Sequence, residues 1–239
     1  MLAAATANAI SQMQLSNVVL AIGSLGTAAY GVVDVSKGMG GGISNRGFGD
    51  IRTIISKFIP PAAGAGASSA LALPSVLATL RANWLNGMAL VDQKSVAKAL
   101  IKLNLTPATA GVMAAAAGVD ATLLASVAEK LASGAALIQP ETDAYGRFDL
   151  LLSAMLDQGY QRADQRYRNS AKLLAVPIAV ILALVGAWAM DGGGLTFFGS
   201  ADAAKALLGG LLATPLAPVA KDLSSAIQAG AKLAQSWKK

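Results

Sequence analysis

The chain alternates between long stretches without charge and shorter stretches in which apolar residues recur at helical spacing. The first charged residue is Asp34, and residues 15–33 read LSNVVLAIGSLGTAAYGVV. As a helix this run covers roughly 28 Å, close to the thickness of the hydrocarbon core of a bilayer. A second run, residues 173–190 (LLAVPIAVILALVGAWAM), is the most apolar in the chain. Its Pro177 falls early, where a missing backbone donor is tolerated. A third run, residues 206–220 (ALLGGLLATPLAPVA), carries Gly209, Gly210, Pro215 and Pro218. At roughly 22 Å, its length admits either a kinked span or a re-entrant turn, extended by residues 200–205 if it spans.

Between the first two runs the period is that of short helices. Gly38, Gly40, Gly41, Gly42, Gly47 and Gly49 open this part. They read as a flexible turn, since the Gly-Lys-Ser/Thr of a phosphate loop is missing. Residues 50–59 (DIRTIISKFI) set Ile51, Ile54, Ile55, Phe58 and Ile59 on one face, with Arg52 and Lys57 on the other. Such a helix suits either the headgroup plane or a face packed on the rest of the middle segment. Pro60-Pro61 ends it, and residues 62–69 read as a linker.

Four short helices follow. Pro74 opens the first, whose face carries Leu77, Leu80, Trp84 and Met88, and Asp92 is a candidate N-cap for the second. Thr106-Pro107 opens the third and Gly118 closes it, while Asp120 and Gly134 bracket the fourth. No run alternates with period two, so no sheet is expected. About sixty residues bury too little apolar surface to stand alone, so this domain is expected to lean on the membrane-proximal helices or on another subunit.

After Gln139-Pro140 a long helix is predicted to run into the second apolar stretch. If continuous over 143–190 it reaches roughly 72 Å, a rigid stalk for the helical domain. Tyr160, Ala163 and Tyr167 share one side of it, among Arg162, Arg166 and Arg168.

Charge placement gives these segments an orientation. No base precedes the first span; Lys37, Arg46 and Arg52 follow it, and Arg162, Arg166, Arg168 and Lys172 precede the second. Lys205 is the only base between the second and third, and Lys221, Lys232, Lys238 and Lys239 follow. Bases mark cytoplasmic boundaries, so the pattern predicts three spans with the N-terminus outside, residues 35–172 in the cytoplasm and the C-terminus inside. A secretory signal peptide needs its bases ahead of the apolar run, so the first segment is expected to be an uncleaved anchor. The resulting plan is an all-α polytopic membrane protein. It comprises a transmembrane helix (1–36), a glycine-rich loop with an interfacial helix and linker (37–69), a small helical cytoplasmic domain (70–142), a stalk (143–172), a transmembrane hairpin (173–223) and a basic tail (224–239).

Composition agrees: 54% of the 239 residues are hydrophobic and 13% are charged, about half the usual charged fraction. With no cysteine and no histidine, thiol nucleophiles, Cys/His metal sites and Ser-His-Asp chemistry are out of reach. Asp157 and Asp164 come nearest to a carboxylate pair and sit among bases. No catalytic, cofactor-binding or metal site is expected. The net charge of +6 lies beside the span boundaries, which fits membrane lipids as partners and not nucleic acid. Arg52, Lys57, Arg162, Arg166, Arg168 and Lys172 are the candidate headgroup contacts. Gly23, Thr27 and Gly31, and likewise Ala179, Ala183 and Ala187, recur every fourth residue, the small-residue pattern that lets helices approach closely in lipid.

The segment from Asp157 through Tyr160-Gln-Arg162-Ala-Asp164-Gln-Arg166-Tyr-Arg168, an apolar span, a short Asp-bearing turn and a last span ending APVAKDL resembles uncharacterised bacterial inner-membrane proteins. The likeness covers the last third of the chain and implies a bacterial cytoplasmic membrane, without an activity. The expected role is a non-enzymatic membrane subunit that forms a homo-oligomer or supports a larger assembly. An oligomeric pore and a membrane-anchored lipid-binding or signalling module are the alternatives.

Overall fold

The computed structural model describes residues 2–36, 40–61 and 71–236, with side chains over 14–229 of these. Lys37, Gly38, the linker over 62–69, Lys238, Lys239 and the side chain of Lys232 lie outside the described residues. The helices are α1 (Leu2–Val35), α2 (Ser44–Phe58), α3 (Leu73–Leu85), α4 (Leu90–Leu103), α5 (Pro107–Ala117), α6 (Ala121–Ser133), α7 (Gln139–Met190) and α8 (Ala201–Ser236). The chain is all-α, without strands among the described residues. Three segments are long and apolar enough to cross a membrane: Gln14–Val35, the apolar part of Gln139–Met190, and Ala201–Ala229. Two compact units form, Gly41–Arg168, here the middle unit, and Met1–Gly40 with Asn169–Lys239, here the apolar unit.

The middle unit resolves the two readings of α2. Ile51, Ile55 and Phe58 are buried in the core, and Arg52 and Lys57 on the opposite face are exposed. Phe148, Leu152, Leu156 and Tyr160 of α7 enter the same core, and Phe58 meets Phe148 edge to face at 6.4 Å. The part of α7 expected to be a bare stalk is therefore a wall of the domain up to Ala163. Burial of its apolar stripe, together with α2, supplies the surface that α3 to α6 lack on their own. The glycine-rich turn is also shorter than expected, because α2 starts at Ser44 and takes in Gly47 and Gly49. Gly47 is needed there: a Cβ would fall 2.6 Å from the Ala163 carbonyl oxygen and 2.8 Å from the Trp84 ring. Trp84 in turn donates to the Ser44 carbonyl at 3.0 Å and meets Tyr167 edge to face.

Local signals placed the short helices well. Thr106 and Thr109 form a reciprocal capping box ahead of Pro107, and Gly118 ends α5 at φ 68°. The Asp120 carboxylate accepts from the Leu123 N–H at 2.8 Å, and Gly134 ends α6 at φ 73°. Asp92 is not the N-cap of α4, which is Ala89; Asp92 falls in the first turn. Leu90 packs against the core, which draws the helix start forward. Met88 lies beyond α3 and is exposed. Ion pairs then fasten α4 to α7: Lys94 to Asp157, and Lys98 and Lys102 to Asp149 at 2.6 and 3.1 Å.

In the apolar unit α7 and α8 form an antiparallel hairpin, turned by Gly192 and Gly193 at positive φ and a 3-10 turn, Leu195–Gly199. Ten residues before the end of α7, Val180 faces Gly210, ten residues into α8. The third apolar run is part of one continuous helix rather than a re-entrant turn. That helix also takes up residues expected to form the basic tail, as far as Ser236.

The direction of α1 follows from its contacts with α8. Gly23 faces Leu216 and Ala220, while Gly26 faces Ala213 and Ala217, so numbers rise along α1 as they fall along α8. The two helices are antiparallel, and α1 and α7 consequently run the same way. The charge rule treats each span by its flanks and carries no information on which helices pair. Within the unit the charges do sort by end. By helix rise from the Val180–Gly210 and Gly26–Ala213 contacts, Asp34 falls with Asp191 and Asp202, and Lys172 with Lys221.

The N-terminus of α7 yields a pH prediction. The buried Glu141 carboxylate accepts from Lys130 Nζ at 2.8 Å, Ser126 Oγ at 2.6 Å and the Ile138 N–H at 2.9 Å. These contacts, Lys130 first, lower its pKa from 4.5 to about 2. A depressed carboxylate contributes stability that is present above its unfolded value and lost as pH falls through the folded one. In a chain with Trp188→Phe and Trp237→Phe, urea unfolding followed by the fluorescence of Trp84 should show Glu141→Gln less stable than its parent at pH 7, the gap closing as pH falls from 4.5 toward 2. A gap that stays constant with pH contradicts this account of Glu141.

Candidate functional site

The candidate site residues divide between two places, the helix seams of the apolar unit and the basic positions of α2 and α7. On α1 the buried positions are Gly23, Gly26, Ala29 and Val33. A Cβ on Gly26 would fall 2.1 Å from the Ala213 carbonyl oxygen, and one on Gly23 would fall 2.1 Å from Ala220 Cβ. The backbones meet there because neither residue has a side chain. Thr27 is exposed, its hydroxyl donating to the Gly23 carbonyl at 3.1 Å, and a Cβ on Gly31 would meet nothing within 4 Å.

The cause is helical phase. At about 100° per residue a strict four-residue repeat drifts by about 40° at each step, so Gly31 points about 80° away from Gly23. The alternating three- and four-residue steps of 23, 26, 29/30 and 33 stay on one face. The alanine row behaves alike: Ala179 is fully buried beside Gly210, and Ala183 and Ala187 are half-buried. Ala171 and Ala175, a turn or two earlier, are buried as well. On α1, Gly23 and Gly26 carry the closest approaches, and spacing by three as well as four was the signal for Gly26.

Of the basic positions, Arg162, Arg166, Arg168 and Lys172 are all exposed on α7. Arg166 Nε lies 3.3 Å from Asp50 on α2, and Arg168 Nε donates to Asp164 at 2.7 Å, one turn back. Tyr160 and Ala163 face inward: both are buried, and burial pushes the Tyr160 phenol upward in pKa. That side of α7 is thus used by the domain's own core, and the arginines stand outside it. Asp157 and Asp164 pair with Lys94 and Arg168, an arrangement that fastens helices together. Among the described residues no three acidic side chains gather as a metal site would need.

A groove opens beside the seam, lined by Ser24 and Thr27 of α1 and by Lys221, Ser224, Ser225 and Gln228 of α8. No protein family, curated protein or solved structure matches the chain.

The seam makes a direct prediction. Gly26→Ala forces backbone apart and should cost about 1–3 kcal/mol, the usual range for overpacking a tight contact. Gly31→Ala, which meets open space, should be neutral or gain slightly from alanine's helix preference. Thermal unfolding in mild detergent measures both; equal effects would contradict the observed seam.

Proposed function

We propose that this chain is a non-enzymatic membrane subunit that self-associates or supports a larger assembly, with its apolar unit in a bacterial cytoplasmic membrane and its middle unit offering a docking surface. The observation that carries the reading is bare apolar surface. Only 22%, 11% and 33% of the residues in the most apolar windows of the three long helices are buried within the chain. Leu173, Ile181, Val185, Leu208, Leu212 and Val219 are among the large side chains left exposed. Continuous exposure on this scale exceeds what a monomer keeps in water and fits contact with lipid or with other chains.

Helix faces suited to partners accompany it. Gly31, Gly186 and Gly209 would each meet nothing within 4 Å if given a Cβ, so small-residue faces remain after the internal seams are made. Such faces support association in lipid, where close packing replaces the hydrophobic force. The resemblance of the last third to bacterial inner-membrane proteins supports the choice of membrane.

Mass measurement of the protein extracted from its own membrane in mild detergent tests the role. Multiples of 24.0 kDa, or the chain with co-purified subunits, are expected. A 24.0 kDa monomer that carries no partner overturns the proposal. Discrete single-channel conductance from the purified protein would move the assignment to a pore.

A further inference from the structure

The groove between α1 and α8 is used neither by the seam nor by the proposed assembly. It is an open cleft of about 690 Å³, large enough for a phosphate group and its neighbouring atoms. Leu20, Ala21 and Ala220 form its apolar part, and Lys221, Ser224 and Gln228 bring the donors, the Gln228 amide also donating to Ser224 Oγ at 3.5 Å. The hydroxyls of Ser24, Thr27 and Ser225 donate back to the carbonyls of Ala21, Gly23 and Lys221, at 2.7, 3.1 and 3.0 Å. The Lys221 ammonium, by contrast, makes no ion pair or hydrogen bond among the described residues.

The exposed Lys221 ammonium, at the end of the apolar run and one residue before the exposed Asp222, keeps its donors open toward the groove. The ligand class follows from the lining. It must be anionic, to answer Lys221, and rich in acceptors, to use the amide of Gln228 and the hydroxyl of Ser224. It must also be apolar alongside, because the neighbouring turns expose Val18, Val219 and Ile227. A phospholipid satisfies all three at once: a phosphodiester at the amine and acyl chains along the bare helix surface.

We propose that this groove seats the phosphodiester of an anionic membrane phospholipid, with Lys221 as its counter-charge and Ser224 and Gln228 as hydrogen-bond donors. The proposal rests on the membrane reading above. Should that reading fail, the failure shows separately, as chain recovered from cells in detergent-free buffer.

The test uses the full chain, purified in mild detergent, cleared of lipid and titrated with phosphatidylglycerol or phosphatidylcholine while native mass spectrometry counts the lipid retained. Preferential retention of phosphatidylglycerol is expected, weakened about tenfold or more in Lys221→Gln by loss of a charge-assisted contact. Lys221→Arg should keep binding, which shows that the position tolerates change, and so should Lys205→Gln, whose parent amine is paired with Asp202 at 2.8 Å. Equal retention of the two lipids, or undiminished binding by Lys221→Gln, overturns the site. Inorganic phosphate bound as tightly as the lipid and with the same dependence on Lys221 overturns the lipid assignment in favour of free phosphate.

Discussion

Contact between two backbones governs the apolar half of this protein. Gly23 and Gly26 let α1 settle on Ala213, Ala217 and Ala220 of α8, at separations where a Cβ would collide with backbone. Inside lipid there is no hydrophobic gain in bringing helices together, so such packing has to come from close van der Waals approach. The seam also fixes direction. With α8 antiparallel to both α1 and α7, Asp34, Asp191 and the Asp202–Lys205 pair come to one end of the bundle and Lys172, Lys221 and Asp222 to the other. The polar groove follows from the same pairing, because it is the space beside the seam where Ser24 and Thr27 come opposite Lys221 and Gln228.

The middle unit solves a different problem, that of assembling enough core from short helices. It does so by recruiting the two helices that flank it in sequence. Ile51, Ile55 and Phe58 from α2 and Phe148, Leu152 and Leu156 from α7 are all buried, and Gly47 and Gly159 allow these helices close approach. Hydrophobic burial fixes which helices meet, and charge fastens them in register: Asp149 between Lys98 and Lys102, Asp157 on Lys94, and Glu141 on Lys130 and Ser126. The helix α7, Gln139–Met190, contributes residues to each of the two units.

What the sequence made legible was local. Charge-free runs marked the three long apolar segments, and Thr106, Gly118, Asp120 and Gly134 marked helix ends, because a cap is written in the residues that form it. What stayed hidden was pairing. The amphipathic face of residues 50–59 required burial without naming a partner, and α7 supplied it. Likewise, a row of small residues spaced by four pointed at Gly23, Thr27 and Gly31, of which Thr27 and Gly31 drift off the contact face, while Gly23 and Gly26 do the packing. The direction of α1 was the least legible feature, since the bases flanking a span report its ends one at a time and helix pairing depends on shape along its whole length.

The antiparallel pairing of α1 with α8 is the central claim, and the absence of native cysteine makes it directly measurable. Asp34→Cys and Asp191→Cys, each introduced alone, would be challenged with a membrane-impermeant maleimide in intact cells and in inverted vesicles. The account predicts that both positions react from the same face of the membrane. Reaction from opposite faces, as three spans with residues 35–172 in the cytoplasm demand, would contradict it.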